Sequence, residues 1–352
     1  MEKSILKSTE ALRVYLEPLG PFLSDAWVSE ISVNEPGSLY IERGGVIHKE
    51  ELPSLTYDWL LGISKLIAQY SDQRLSEAEP LLSASLPEGH RIQVVLPPAS
   101  NHIVLSIRKQ VVHRLRLDDF EKQGAFAHTR AISIPSHRST LPLNEEDQYL
   151  TSVFKSKNYT LFLKEAIAQK KNILVSGGTS TGKTTFLNAC LREIPLDERI
   201  ITLEDVREIE IPHENKVHLI ASKGEQGLAR VSMSHLIEAC LRLRPDRIIM
   251  GELRGSEASD FINATATGHD GSIASIHASN PSMAFMRLVH MVKMNPAMQM
   301  MERADILEDL HTLIDIVVQI KRVREGTLYR REISEIYSGF NFEEGRGSHA
   351  GS

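Results

Sequence analysis

The residues best suited to chemistry form one run, GGTSTGKTT, from Gly177 to Thr185. A strand-like segment, Asn172 to Ser176, precedes the run, and a helix-like segment, Thr184 to Leu191, follows it. A glycine-rich turn between strand and helix directs backbone N–H groups and the positive helix end at one anion. In this pattern Lys183 reaches the β- and γ-phosphates and the Thr184 hydroxyl ligates Mg²⁺. The run therefore predicts a site for ATP and Mg²⁺ formed by Gly177, Gly178, Thr179, Ser180, Thr181, Gly182, Lys183, Thr184 and Thr185.

Two further apolar strand segments end in acids. Arg247 to Met250 leads to Glu252, and Ile200 to Leu203 leads to Glu204 and Asp205. Acids at the carboxyl ends of neighbouring parallel strands meet at one edge of the sheet, where they can orient water and support a metal. We expect Glu252 to be the general base, with Glu204 as the alternative base. The predicted metal-binding residues are Thr184, Glu204, Asp205 and Glu252.

A histidine follows another strand of the same kind. Ser272 to Ile276 comes after a glycine-containing turn and is followed directly by His277. An imidazole at this edge of the sheet can contact the γ-phosphate and lose that contact when the phosphate leaves. His277 is therefore a candidate γ-phosphate sensor.

The predicted elements indicate an N-terminal α+β domain at residues 1–122, since 352 residues exceed what one core usually serves. Short alternating runs and the helical spacing of Leu60 to Tyr70 support this prediction. Arg91 to Leu96 and Ile103 to Arg108 predict an antiparallel pair of strands around a proline-containing loop.

The pattern changes after residue 122. Residues 123–145 are poor in acids and rich in Ser, Thr and Pro, which predicts a linker. Residues 146–340 alternate helices with short β-branched runs, which indicates an α/β fold with a mainly parallel sheet covered by helices on both faces. Residues 341–352 are small and polar and predict a disordered tail.

Composition narrows the class of protein. A net charge of -6 argues against a protein that coats nucleic acid, and no direct sequence-specific nucleic-acid binding is expected. Cys190 and Cys240 lie in apolar helical patterns, which predicts buried, reduced thiols and a cytoplasmic protein. No apolar run approaches the ~18 residues that cross a bilayer. The apolar stretch from Ile5 to Trp27 could touch lipid, but we expect it to pack in the core.

Four motifs in chain order resemble the Walker A, aspartate, Walker B and histidine boxes of the secretion ATPases of bacterial type II and type IV systems. They are GGTSTGKTT from Gly177, TLEDVREIEI from Thr202, LRLRPDRIIMGELRG from Leu241 and TGHDGSIASIHAS from Thr267. The resemblance covers about residues 11 to 338 and is greatest to the traffic ATPase of type IV secretion, the VirB-eleven group. The absence of the cysteine-rich metal-binding insertion of type II relatives and of an AIRAGE-like stretch favours that branch.

The resemblance implies a RecA-like P-loop NTPase domain that hydrolyses ATP, a homo-hexameric ring, and nucleotide held between the two domains. It implies a cytoplasmic location peripheral to the inner membrane, inner-membrane type IV secretion components as partners, and a secreted protein or nucleoprotein as substrate. Arg91 and Arg108 match positions at which the N-terminal domain brings positive charge to the phosphates, and Arg242 and Arg244 are the alternatives. Gln110 begins a departure from the family pattern, which commonly has a Pro-Ser step there.

Two other functions fit parts of this pattern. One is a pilus motor or nucleic-acid translocase, because RecA-like engines also serve these tasks. The other is a regulatory or scaffolding subunit that binds nucleotide without hydrolysing it, although an intact set of carboxylates argues against that. The residues do not distinguish effector protein, pilin and conjugative DNA as cargo.

Overall fold

The computed structural model describes residues 2–109, 115–138, 142–221, 231–326 and 328–340. Within these ranges the chain forms two sheets, one of six strands and one of eight, each with its own helices and hydrophobic core. The predicted tail at 341–352 and the departure that begins at Gln110 lie outside the described residues.

The N-terminal sheet is antiparallel, with strand order β3-β2-β1-β6-β5-β4. Its strands are β1 (Val28–Val33), β2 (Ser38–Arg43), β3 (Val46–Glu51), β4 (Leu81–Ser85), β5 (Arg91–Val95) and β6 (Val104–Arg108). The helices of this region are α1 (Glu2–Tyr15), α2 (Gly20–Ser24) and α3 (Tyr57–Tyr70), with a 3₁₀ turn at Glu17–Leu19. Alternate strand residues such as Ile31 and Ile41 are buried together with Leu60 and Ile63 of α3, because every second side chain of a strand faces the same way. The predicted antiparallel pair is confirmed as β5 and β6.

The larger sheet has the order β10-β9-β11-β12-β8-β13-β14-β7. Its strands are β7 (Arg130–Ile132), β8 (Ile173–Gly177), β9 (Ile200–Glu204), β10 (Lys216–Ile220), β11 (Arg247–Leu253), β12 (Ile273–Ile276), β13 (Ile316–Glu325) and β14 (Leu328–Ser338). All neighbours are parallel except β13 and β14, which form an antiparallel hairpin. Strands β8 and β9 are buried along their whole length, as expected for the centre of a parallel sheet.

Helices cover both faces of the larger sheet and bury two separate apolar clusters. They are α4 (Leu117–Lys122), α5 (Glu145–Lys155), α6 (Tyr159–Ala168), α7 (Lys183–Leu191), α8 (Met233–Arg242), α9 (Glu257–Ala266), α10 (Pro281–Met294) and α11 (Arg303–Leu313), with a 3₁₀ turn at Pro296–Met298. One cluster combines residues of α4 to α7, and the other combines residues of α8 to α11. Cys190 and Cys240 are free and buried in these clusters, and burial raises the pKa of Cys240 to about 12. The predicted α/β architecture with helices on both faces of a mainly parallel sheet is confirmed.

The segment at 123–145 is attached to the larger sheet for part of its length. Arg130 to Ile132 pair with β14 as an edge strand, and the Arg138 guanidinium pairs with Asp315 and donates to the Thr312 carbonyl at 2.8 Å. Helix α4, which the sequence places in the first domain, buries Leu117 and Phe120 in the core of the second. The boundaries of the domains remain predictions, but this packing shows that α4 and β7 serve the larger sheet.

Candidate active site

The phosphate loop lies between β8 and α7. Ser180 and Gly182 have φ values of +57° and +92°, which turn the backbone back on itself before α7 begins at Lys183. Lys183 Nζ donates to the carbonyl oxygens of Gly177 at 2.8 Å and Gly178 at 3.0 Å. The lysine side chain is therefore folded back over the loop.

Gly177 is required by space rather than by its φ angle. A Cβ atom there would lie 2.7 Å from Thr181 Oγ1 and 2.8 Å from the carbonyl oxygen of Ile320 on β13. The second contact is with backbone, which cannot move aside without disturbing the pairing of β8 and β13. Gly177 is therefore needed for the close approach of the loop to β13.

A cavity of about 1020 Å³ lies above the loop, between the two domains. Its lining includes Gly178 to Thr185 and six further predicted site residues: Arg91, Arg108, Glu204, Asp205, Glu252 and His277. Gly177 belongs to the strand beneath it and is absent from that lining. The residues selected from separate segments of the sequence thus converge on one space, as the topology of a parallel sheet requires.

Trp27 also lines this cavity, which corrects part of the expectation for Ile5 to Trp27. Leu12, Leu16 and Leu19 of that stretch are buried in the N-terminal core, as predicted. Trp27 is 75% exposed instead, because it follows α2 and precedes β1 at the rim of the sheet.

Glu252 near the end of β11 is held by an arginine that the sequence analysis did not select. Arg254 donates from Nε at 3.0 Å and from Nη2 at 2.6 Å to Glu252 Oε2. Its other terminal nitrogen pairs with Asp205, which follows β9. One guanidinium thereby fixes the acids of two strand ends, and its own pKa is raised by the hydrogen bond to Glu252 against the effect of desolvation. The signal was present in the sequence, since Arg254 lies two residues beyond Glu252 in the same motif.

Glu204 has a different environment. Its side chain is 2% exposed, and Oε1 accepts hydrogen bonds from the backbone N–H groups of Glu208 and Ile209, each at 2.8 Å. Burial raises the pKa of Glu204, although the two N–H donors partly oppose that shift. A Cβ on Gly251 would lie 3.1 Å from Glu204 Cγ, so the neighbouring strand closes over this carboxyl group. Its clearest observed role is to hold the loop after β9.

Glu208 connects the N-terminal domain with the phosphate loop and was not selected from the sequence, although it lies within the motif that begins at Thr202. Its Oε1 lies 2.9 Å from Nε of Arg91 on β5, and its Oε2 accepts a hydrogen bond from the Thr184 hydroxyl at 3.2 Å. Arg91 and Thr184 therefore contact the two oxygens of one carboxylate. The Glu208 carboxylate thus contacts both β5 and the start of α7.

The cavity also brings opposing charges to Lys183. Desolvation lowers the pKa of its ammonium group, and the Glu252 carboxylate opposes that effect more than any other nearby charge. Arg108 and Arg254 act in the same direction as desolvation. His277 is half-buried at the end of β12, in the same lining. An anion with several charges would relieve the excess of positive groups around the loop.

The alternative arginines lie elsewhere. Arg242 ends α8, and Arg244 follows it with a φ of +54°. Both are exposed and neither lines the cavity of this chain. Within one chain, the arginines that line the cavity are Arg91, Arg108 and Arg254, together with three of the β13–β14 hairpin, Arg322, Arg330 and Arg331.

The oxygen donors at the cavity fit a magnesium ion bound together with phosphates. Within the described ranges, no group of three or more His, Cys, Asp and Glu side chains forms a metal cage. The Thr184 hydroxyl and the carboxylates of Asp205, Glu208 and Glu252 nevertheless border the loop. Mg²⁺ prefers oxygen ligands and usually combines one or two carboxylates with phosphates and waters. The donor set therefore suits Mg²⁺ that arrives with a nucleotide.

Comparison with known proteins identifies the family. Residues 138–325 match the model of the family described as type II/IV secretion system protein. The chain is 39% identical over 342 residues to the type IV secretion system protein VirB11 of Brucella suis, covering 96% of this chain and 92% of the relative. It is 37% identical to the type IV secretion system protein PtlH of Bordetella pertussis over 332 residues, covering 92% and 94%.

Comparison with solved structures supports the same family assignment. The crystal structure of the VirB11 ATPase from Brucella suis with sulphate has a TM-score of 0.52 at 38% identity and covers 93% of this chain and 97% of that one. The pilus retraction motor PilT with bound ADP has a TM-score of 0.57 at 17% identity over 93% of this chain and 82% of that one, which supports the fold alone. Across the described part of the chain, no helix has the length and apolar character of a membrane span. The chain belongs to the type II/IV secretion system protein family, and within it to the VirB11-like ATP hydrolases of type IV secretion.

Proposed function

We propose that the chain is a Mg²⁺-dependent motor that assembles as a homo-hexamer and uses ATP to drive type IV secretion from the inner face of the inner membrane. The observation that carries this proposal is the convergence of the phosphate loop, acids from β9 and β11, and arginines of the N-terminal domain on one cavity. Hydrolysis requires positioned water and stabilised charge on the transferred phosphoryl group, and these residue types supply both.

In the proposed cycle the loop N–H groups and Lys183 bind the β- and γ-phosphates. Glu252, held by Arg254, orients the attacking water as general base, and His277 detects the γ-phosphate. Thr184 is the proposed ligand of Mg²⁺, with Asp205 and Glu252 in contact with the waters of the ion. When bound, Mg²⁺ would neutralise charge on the phosphates. Glu204 remains the alternative base, but its Oε1 is occupied by two backbone N–H groups.

Domain movement would be coupled to hydrolysis through the arginines. Arg91 lies on β5 and Arg108 lies opposite it on β6, so both move with the N-terminal sheet. An arginine delivered to a transferring phosphoryl group can contribute roughly 10³ to 10⁵ in rate. Closing the N-terminal domain on the cavity would therefore promote hydrolysis. Loss of the γ-phosphate would then allow the N-terminal domain to open again.

The test begins with Lys183→Ala, which should lose both MgATP binding and turnover in the purified chain. Steady ATP turnover by the wild-type chain, abolished by this variant, supports an enzyme rather than a nucleotide-binding scaffold. Analytical ultracentrifugation with MgATP should show a species six times the mass of one chain. A monomer at all concentrations, or turnover that requires DNA, would contradict the proposal and favour a nucleic-acid translocase.

The partners proposed are the inner-membrane components of a type IV secretion system and a secreted protein or nucleoprotein. The relatives support this class of partner because they are named as secretion-system proteins. Flotation of the purified chain with inner-membrane vesicles, with and without the other secretion components, would measure peripheral membrane association. If the chain floats neither with vesicles alone nor with vesicles that contain the other secretion components, the proposed location is wrong.

A further inference from the structure

The hairpin of β13 and β14 places two arginines directly opposite each other. In the register of the hairpin, Arg322 faces Arg331, and both side chains line the active-site cavity. Like charges directly opposite in an antiparallel pair are destabilising unless something else neutralises them. Two guanidinium groups therefore require negative charge nearby.

Among the described residues, only the first of these arginines forms an ion pair, although the Glu42 carboxylate also acts on the charge of the second. Arg322 Nη2 donates to Glu42 Oε1 at 2.8 Å and to the Gly45 carbonyl oxygen at 3.1 Å, and its guanidinium lies 4.0 Å from the centre of the Tyr329 ring. Arg331 makes no ion pair or hydrogen bond with the residues that the structure describes. One carboxylate thus serves two cationic groups.

Arg331 packs on the phosphate loop itself. A Cβ atom at Gly182 would lie 2.9 Å from both Cδ and Nε of Arg331, so the side chain crosses the loop at the residue before Lys183. Solvent reaches the Arg331 side chain, yet the cavity walls desolvate its guanidinium enough to lower its pKa, with Arg322 as a second cause. The group is a cation held at the loop with no ion-pair or hydrogen-bond partner among the described residues.

We propose that Arg331 is a nucleotide-binding residue whose guanidinium contacts phosphate oxygens that ATP and ADP share. In the sheet, β14 and β13 lie on one side of β8, whereas β12 and β11, which carries Glu252, lie on the other. Arg331 therefore approaches the phosphates from the side opposite the proposed base, away from the bond that breaks. This inference rests on the proposed function, because it assumes nucleotide at the loop.

The expected consequence is a change in affinity rather than in the chemical step. An interaction present equally in the bound substrate and in the transition state raises affinity without raising kcat. Arg331→Gln should weaken binding of MgADP about tenfold, in line with the loss of a charge-assisted contact. It should raise the KM for MgATP by a similar factor while kcat stays within about twofold. Arg331→Lys, which keeps the charge but loses the planar fork, should recover part of the affinity.

The experiment uses the full chain, with MgADP titrated by calorimetry and ATP turnover measured at several concentrations. Arg324→Gln is the matched control, because Arg324 lies in the same hairpin and donates to the Gly326 carbonyl oxygen outside the cavity lining. It should bind MgADP as the wild type does. The thermal midpoint without nucleotide should be unchanged or higher in Arg331→Gln, because repulsion from Arg322 is removed, and MgADP should raise it less than in the wild type.

Three results on binding and turnover, and one on stability, would overturn the inference. They are unchanged MgADP affinity in Arg331→Gln, a fall in kcat without a rise in KM, and an equal loss of affinity in the Arg324→Gln control. A lower thermal midpoint without nucleotide would show that Arg331 supports the fold instead. Lys183→Ala separates this failure from that of the proposed function: if it abolishes MgADP binding while Arg331→Gln binds MgADP as tightly as the wild type does, only the role of Arg331 is wrong.

Discussion

Replacement of Glu252 by glutamine should separate nucleotide binding from hydrolysis. Glutamine has nearly the same shape as glutamate, and its amide oxygen can still accept from Arg254, which now donates to Glu252 at 3.0 and 2.6 Å. The geometry of the β11 end is therefore retained. What the substitution removes is the negative charge, and with it the ability to take a proton from water.

The size of the effect follows from that single loss. General-base catalysis contributes typically 10²- to 10⁴-fold. The kcat of Glu252→Gln should therefore fall by about 10²- to 10⁴-fold. At 1.36 kcal/mol for each factor of ten, this fall corresponds to an increase in activation free energy of about 2.7 to 5.4 kcal/mol. The Kd for MgATP should stay within about threefold, because the phosphate loop and Lys183 are intact. A second consequence concerns Lys183, since Glu252 is the charge that most opposes the lowering of its pKa. Without Glu252, Lys183 should lose its proton at a lower pH. As pH rises, the affinity of the variant for MgATP should therefore begin to weaken at a lower pH than the affinity of the wild type does.

The assay measures phosphate release at saturating MgATP and Kd by calorimetry, across a range of pH. Glu257→Gln is the control, because Glu257 lies five residues further along and accepts backbone N–H bonds at 2.7 and 2.8 Å without lining the cavity. Its kcat should stay within about threefold of the wild type. Turnover of Glu252→Gln at the wild-type level would refute the role of Glu252 as base, and a collapse of turnover in Glu204→Gln alone would transfer that role to Glu204.

Three further predictions concern one buried ion pair outside the cavity lining and two groups of the site. Glu198→Ala should cost about 3–5 kcal/mol of unfolding free energy in urea titrations, because it leaves the fully buried Arg247 guanidinium without the carboxylate that now accepts at 2.7 and 2.8 Å; a loss below about 1 kcal/mol would contradict this. Glu204 has a folded pKa raised by burial, so its contribution to stability is present at low pH and is lost as pH rises through that folded pKa. The thermal midpoint of Glu204→Gln should therefore increase relative to that of the wild type as pH rises. A difference between the two midpoints that does not change with pH would refute this. Arg91→Ala and Glu208→Gln should be non-additive in kcat/KM by about 1 kcal/mol, since the two side chains share one contact at 2.9 Å, whereas additive effects would show that they act separately.

Local pattern alone determined much of the site in the larger domain. The spacing of Gly177, Gly182 and Lys183 identified a phosphate loop, because a tight turn between strand and helix depends on a few adjacent residues. The acids at the ends of β9 and β11 could be placed at the same edge, because the parallel strands of such a sheet end together. The contribution of the N-terminal domain to the site could be predicted only from the family resemblance, which selected Arg91 and Arg108. Their assigned roles remain predictions.

Tertiary structure alone decided which charges are neutralised and which remain free. Arg254 joins acids from two strands, and Glu208 joins Arg91 to Thr184, through contacts that depend on loop paths the sequence pattern does not encode. The β13–β14 hairpin was missed because charged residues interrupt its apolar run, IVVQIKRVRE.

The hairpin also shows why register decides such questions. Its antiparallel register sets Arg322 opposite Arg331, and docking of the N-terminal domain brings Glu42, 280 residues away in sequence, to Arg322. A side chain one position earlier or later on either strand would face the other side of the sheet. The sequence by itself determined where phosphate binds, whereas which arginine is left free to meet it depended on the register of two strands and the placement of two domains.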